Sequence, residues 1–559
     1  MSRPFLAFLV CASAFGVSSY PALAQEGPPP NRPDVEPHAE PKSDAKRGLL
    51  QKTAEATPGY TLIAPLRSSS TYLVDNDGHV VHEWKSDLPP GQSAYLRDDG
   101  KLLRSERPDN PVFQGGGQGG RLREFDWDGK VTWEYVLSDE KQCLHHDVKV
   151  LPNGNVLAIV WEMKSAEEAR AAGRDPATSA QGVWADAIVE IEPVRPVGGK
   201  IVWEWHAFDH LVQARDAKLP NYAKIADRPD RIDVNAGAAS RPSADDAAAE
   251  RERLRGIGYV GGGDDGRPRG GRRGPGGGGP GGDSDWTHAN GIDWRPDLDV
   301  VVLSSRSLSE VWVIDHSTAT AEARTSSGGR HGHGGDLLFR YGNPTNHGAG
   351  TAADQKLWFQ HDAQWIPAGF PGAGHLLVFN NGGAGREESS VDEIDLGLDV
   401  DRLKKGFDAV ALSTVKLVWT YTAPEIRSGH ISGVQRLSNG HTLIGAGEPG
   451  LVREVDATGK VVWDYASTLA GDLPMGGPGG PGGRGGPRGD RPAPGDAGGP
   501  PGDGGGPPSG GDPRRSGRRG GPGGMGGGPG SPYSFFRVDR YAPDHPALAR
   551  LAAKTGDVR

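Results

Sequence analysis

The sequence predicts an all-β chain folded as a six-bladed β-propeller of four-stranded blades, with disordered Gly/Pro-rich inserts. Three observations carry this. A hairpin ending in tryptophan recurs along the chain, and a second hairpin lies between successive copies. The 87 glycines and 46 prolines among 559 residues exceed average usage, and the excess is local. Six small sheets cannot bury their faces alone, and stacking them radially does so. A pair of β-sandwiches or a solenoid is the alternative.

Taken in order, the chain opens with Arg3, an apolar stretch from Phe5 to Val17 and the small-x-small step Ala22-Leu23-Ala24. This reads as a secretory signal over 1–24, and therefore as a periplasmic or secreted protein. Residues 25–58 read as a linker, rich in Pro, Glu, Asp and Lys as far as Arg47, with a short helix expected at Leu49–Ala56. The propeller is expected over 59–551, followed by a tail, 552–559.

The tryptophan-ending hairpin runs Thr71–Trp84 and Leu122–Tyr135, then ends a third copy at Gly199–Trp205. A weaker fourth is Val311–Asp315 with Leu337–Tyr341; a fifth ends Val415–Tyr421; the cleanest is Leu451–Tyr465. Asp-Gly or Thr-Gly between apolar runs marks the hairpin turns. The second hairpin runs Gln92–Leu103, His145–Ile159, His288–Leu303, His361–Phe379 and His430–Ile444, leaving only Phe535–Tyr541 for the last unit. Each tryptophan hairpin is paired here with the hairpin that follows it. Two tracts, about 238–283 and 476–530, break the pattern. The first has good helix formers at Ala244–Arg255, and the second is placed inside the sixth blade.

A net charge of −10 and a pI near 6.0, without a clustered basic face, exclude a nucleic-acid footprint. After the signal only Cys143 remains, which excludes an internal disulfide and cysteine-based metal sites. No later apolar stretch reaches membrane-spanning length. The expected partners are small molecules, with neither nucleic acid nor membrane, and a homo-oligomer is compatible.

Histidine recurs near the front of four second hairpins: His146, His288, His361 and His430. Polar residues at a shared strand end of a closed ring converge on one channel mouth. Strand periodicity puts His361, Ala363 and Trp365 on one face and Asp362 on the other. Asp362 and Asp147 are therefore expected to bond strand-end N–H groups between blades. Neutral imidazoles suit a metal, yet no His-x-His pair sits on these strands. An anion site is the other option. Arg306 ends the hairpin begun by His288 and should return to the same rim, offering a planar fork to sulfate or phosphate oxygens. Arg104 ends the first hairpin in a related way. Cys143 reads as a buried small residue, and Arg330-His331-Gly332-His333 as a polar loop or an extra metal or anion spot.

Gly59-Tyr60-Thr61-Leu62, His146-Asp147, His288-Ala289-Asn290, Ser304-Ser305-Arg306, Gln360-His361-Asp362 and Ser428–Gly433, in that order, resemble the PAPS-independent bacterial arylsulfate sulfotransferases. That resemblance implies a six-bladed propeller with its site at the channel. It implies transfer of a sulfuryl group from an aryl sulfate to a phenol, without metal or other cofactor. His361 matches the histidine that becomes transiently sulfated. His146, His288 and Arg306 match groups that bind the transferring sulfuryl, and Asn290 matches a polar neighbour. His430 and Arg104 complete the candidate substrate-binding set. A non-catalytic binding module and an aryl sulfate hydrolase are the competing readings.

Overall fold

The computed structural model describes residues 46–237, 253–259, 284–383, 386–471, 473 and 531–551. Six antiparallel sheets form the blades of a propeller. Blade one contains Phe535–Tyr541, Tyr60–Pro65, Ser70–Asp75 and Val80–Lys85, from inside to outside. Blade two runs from Pro90–Leu96 to Val131–Val136, and blade three from Gln142–Val150 to Gly199–His206. Blade four runs from Ala289–Arg295 to Phe339–Tyr341, and blade five from His361–Trp365 to Lys416–Thr422. Blade six runs from Gly433–Arg436 to Val461–Ala466.

The phase of the repeat differs from the sequence reading. Each tryptophan hairpin belongs with the hairpin before it, so Gln92–Leu103 shares a blade with Leu122–Tyr135. Thr71–Trp84 joins instead the distant strand Phe535–Tyr541, whose Tyr541 pairs with Tyr60 and closes the ring. In the sequence the second tract therefore falls between the last strand of blade six and the inner strand of blade one, not inside the sixth blade. Gly48–Lys52, where a short helix was expected, is a fifth strand on the outer edge of blade six. The signal, the tail 552–559, the second tract, the first tract apart from 253–259 and most of the helix expected at Ala244–Arg255 lie outside the described residues. Among the described residues no helix is long and apolar enough to cross a membrane.

Burial explains why tryptophan recurs. An apolar cluster fills each of the six gaps between neighbouring blades. At five gaps the outer-strand tryptophan also donates its indole N–H to the next blade. Trp84 reaches Asp126 O (3.0 Å), Trp133 Gly198 O (2.8 Å) and Trp203 Thr318 Oγ1 (3.1 Å). Trp419 reaches Ala457 O (3.1 Å), and Trp463 closes the circle on Asn76 O (2.8 Å). A large apolar body with one polar tip suits this clasp. Blade four has no tryptophan on its outer strand, and its copy of the repeat is correspondingly weak.

Candidate active site

The inner strands begin at the channel mouth, and their local backbone is unusual. Gln92, His146, Asp362 and Ser432 all have φ between 52° and 100°. Non-glycine residues are rare there, and such conformations concentrate at functional sites. Gly117 supports one of them: its φ is +85°, and a Cβ there would lie 1.9 Å from Cε1 of His146. At Asp362 the ladder slips between His361 and Gln364, so the side chains of His361 and Asp362 both turn inward. The strict alternation expected for Asp362 is thus broken by this irregularity.

The histidines occupy two tiers. Asp147 Oδ2 accepts the Ile292 N–H (3.0 Å), and Asp362 Oδ2 accepts the Val434 N–H (2.8 Å). These bonds bind blade to blade, as the sequence suggested. They also set His146, Asn290, His361 and Ser432 level with one another. His288 and His430 sit two residues earlier, in the segments leading into their strands. The four histidines converge, but not from one repeat position.

His361 is wholly buried, and its Nδ1 lies 2.8 Å from Asn381 Oδ1. Asn381 Nδ2 donates to Ser428 O (2.8 Å) and Ile431 O (2.9 Å), so its oxygen must face the imidazole. His361 Nε2 accepts the Ile431 N–H at 3.1 Å. Burial, with the charge of Arg306 second, holds the His361 pKa well below the ordinary imidazole value. Burial and the neighbouring His288 do the same to His146. Arg306 returns to this rim with its guanidinium 5.0 Å over the Phe359 ring, and its buried Nε has no partner among the described residues.

His146 and His288 have ring centroids 4.6 Å apart, and the hydroxyl of Tyr259 lies between them. It is 2.5 Å from His146 Nε2 and 3.1 Å from His288 Nε2. Behind His288, Nδ1 lies 2.5 Å from Asp285 Oδ2. Behind His146, Nδ1 lies 2.8 Å from Nδ1 of His145, whose ring stacks on Trp161 at 4.1 Å. His145 Nε2 is 3.0 Å from Asp186 Oδ1, an ion-pair distance without full hydrogen-bond alignment.

The other candidates separate clearly. Asn290 donates to Gln360 O (2.8 Å), while its buried Oδ1 has no partner among the described residues. His430 stands at the mouth with its ring 6.1 Å from that of Tyr259, between Arg253 and Glu448. Arg104 is elsewhere: 1% exposed, it is spent on Glu106 (2.8 Å), Leu88 O (2.9 Å) and Thr71 Oγ1 (3.2 Å) between blades one and two. It lies on the second strand of its blade facing the neighbouring blade, so it does not meet the histidines. His331 and His333 hydrogen-bond Leu298 O and Lys404 O, which makes their segment a packed loop. Burial pushes the Cys143 thiol up to about 12, leaving it unreactive. Among the described residues no group of three or more His, Cys, Asp or Glu side chains is arranged to hold a metal ion.

Sequence reasoning missed Tyr259, Asn381, Asp285, His145, Asp186 and Arg537. Asn381 had a signal: it ends the second strand of its hairpin as Arg306 does. Asp285 stands three residues before His288. Nothing local distinguished Tyr259, which lies inside the first insert just before its Gly-rich run.

A family model described as Arylsulfotransferase (ASST) matches residues 51–468. The chain belongs to the arylsulfotransferase family. The match spans His146, His288, Asn290, Arg306, His361 and His430, and it supports aryl sulfotransferase activity in the broad sense. No curated protein matches the sequence. Similar solved structures include a protein of unknown function from Bacteroides caccae, with TM-score 0.36 and 12% identity, covering 73% of this chain and 94% of that one. A streptogramin B lyase gives TM-score 0.34 and 10% identity over 77% and 85% of the two chains. A virginiamycin B lyase from Staphylococcus aureus gives 0.33 and 11% over 76% and 90%. Such low scores have no bearing on the chemistry of this chain.

Proposed function

We propose that the protein moves a sulfuryl group from an aryl sulfate to a phenol in two steps, through a sulfohistidine at His361. The observation that carries the reading is the Asn381–His361 pair. Asn381 can only accept from Nδ1, so Nδ1 keeps the proton and Nε2 keeps a lone pair. Burial and Arg306 keep that imidazole neutral near pH 7. In the resting site Ile431 N–H engages the lone pair, and this contact yields when sulfur approaches.

In the first step Nε2 attacks sulfur. The S–O(aryl) bond breaks, and its electron pair stays on the phenolic oxygen. Tyr259 Oη marks where such an oxygen fits, between His146 and His288. Asp285 Oδ2 holds His288 through Nδ1 and leaves its Nε2 towards the oxygen, whereas His146 is backed by a second imidazole and burial holds its pKa down. His288 therefore gives the leaving phenolate its proton, and His146 holds the oxygen. In the second step an acceptor phenol loses its proton to His288 and attacks sulfur. The N–S bond breaks, and its pair returns to Nε2. Arg306, with its unpartnered Nε, faces the charge on the sulfuryl oxygens. Export to the periplasm or medium through the N-terminal signal belongs to the same proposal.

The test incubates purified protein with p-nitrophenyl sulfate, with and without an added phenol. Nitrophenol release that depends on the phenol, with an SO3 adduct mapped to His361 by mass spectrometry, is expected. Equal sustained release without phenol would make the enzyme a hydrolase. No release from a panel of aryl sulfates would leave a binding module.

A further inference from the structure

The segment 253–259 comes from the first insert, outside the repeat, and it covers the histidines. Leu254, Ile257 and Tyr259 pack with Leu66, Ile431 and Phe536 over the channel. Arg107 Nη1 donates to Gly258 O (2.8 Å). A Cβ at Gly116 would lie 2.3 Å from Cε1 of Tyr259, so this loop lacks a side chain where the ring sits. Tyr259 is 1% exposed. Its hydroxyl meets two imidazoles, one of them backed by a carboxylate.

The site thus already holds a phenol, and it is the chain's own. We infer that Tyr259 is an internal sulfuryl acceptor, a tyrosine that the enzyme sulfates in cis. The inference rests on the sulfohistidine reading. An aryl sulfate donor needs the space Tyr259 fills, so the segment is displaced while His361 is loaded and reseats afterwards. Tyr259 Oη then attacks sulfur, the N–S bond to His361 breaks with its pair returning to Nε2, and the phenolic proton passes to His288 Nε2. The product is tyrosine O-sulfate at 259 and a regenerated His361. In this role Tyr259 competes with free phenols, and its first turnover needs none.

The experiment treats the full-length protein with p-nitrophenyl sulfate and no added phenol, followed by peptide mapping. One SO3 group per chain is expected on Tyr259. Tyr259→Phe, which keeps the ring and its packing, should lose that modification and carry SO3 on His361 alone. Wild-type protein sulfated on His361 but never on Tyr259 would overturn the inference and leave the sulfohistidine reading standing. Modification of Tyr259 in His361→Ala would also overturn it, because the group would then not pass through His361. No adduct on either residue sinks both proposals.

Discussion

Adjacent residues on the same inner strands end in opposite surroundings. His146 and His361 face a layer with loose ends: Arg306 Nε, Asn290 Oδ1, Gln360 Oε1 and both amide atoms of Gln92 have no partner among the described residues. One residue further along, Asp147 and Asp362 face a layer organised by ion pairs to Arg537, although Arg537 Nε and Asp539 Oδ2 lack a hydrogen-bond partner among the described residues. There Arg537 lies 2.9 Å from Asp147 Oδ2 and 3.0 Å from Asp362 Oδ1, and donates to Tyr95 Oη at 2.6 Å. Burial pushes Asp362 up to about 6, with Arg537 opposing, and pushes the nearby Asp539 up to about 7. Unmet hydrogen-bonding capacity is costly to bury, so a layer that keeps it is built for a visitor. A layer in which one arginine bridges aspartates from two blades is built for the fold.

That contrast can be broken in several ways. His361→Ala should lower phenol-dependent nitrophenol release by on the order of 10^4-fold, with an unchanged urea midpoint. Arg537→Met should do the reverse. It strands two buried carboxylates and should cost about 3–5 kcal/mol of stability in urea titration; a variant as stable as wild type would show that the second layer is not structural. Arg306→Lys keeps the charge but loses the fork, and kcat should fall by about 10^2-fold without loss of stability.

Histidine itself sharpens the comparison at the smallest scale. His316 lies 2.9 Å from Asp299 Oδ1 and 3.1 Å from Glu190 Oε2. Burial opposes its charge, but these carboxylates outweigh burial and raise its pKa to about 9. A folded pKa above the unfolded one stabilises fully below about pH 6.5. This contribution is lost as pH rises through about 9. Wild type should lose on the order of 3 kcal/mol over that window in urea titrations, and His316→Gln should lack that dependence. His361 carries the opposite sign. Its depressed pKa keeps the nucleophile neutral in mild acid, so the burst of nitrophenol should persist below the ordinary imidazole pKa. A burst lost with a midpoint at that ordinary value would place His361 in water.

The blades were legible because tryptophan marks a contact that five of the six blades make with the next, as Trp133 does with Gly198. The phase was not, because the strand that pairs with Tyr60–Pro65 lies beyond the second tract. His146, His288, Arg306 and His361 were legible through position on the ring. Position could not separate the tiers of His146 and His288, since one turn of non-repetitive backbone shifts a side chain without altering the pattern. Arg104 was misplaced because ending a hairpin does not fix which way a side chain faces. Tyr259 stayed hidden because its placement comes from packing against Leu66, Ile431 and Phe536, residues scattered along the chain.

The strand Phe535–Tyr541 closes the ring, and it also brings Phe536 beneath the histidines and Arg537 between the two aspartates. Synthesis runs from the N-terminus, so these residues emerge after every histidine of the site has already been made. A nascent chain that has not yet delivered this strand holds the site's reactive side chains but neither their floor nor their closure. Assembly of the site is thereby tied to the arrival of this one late strand.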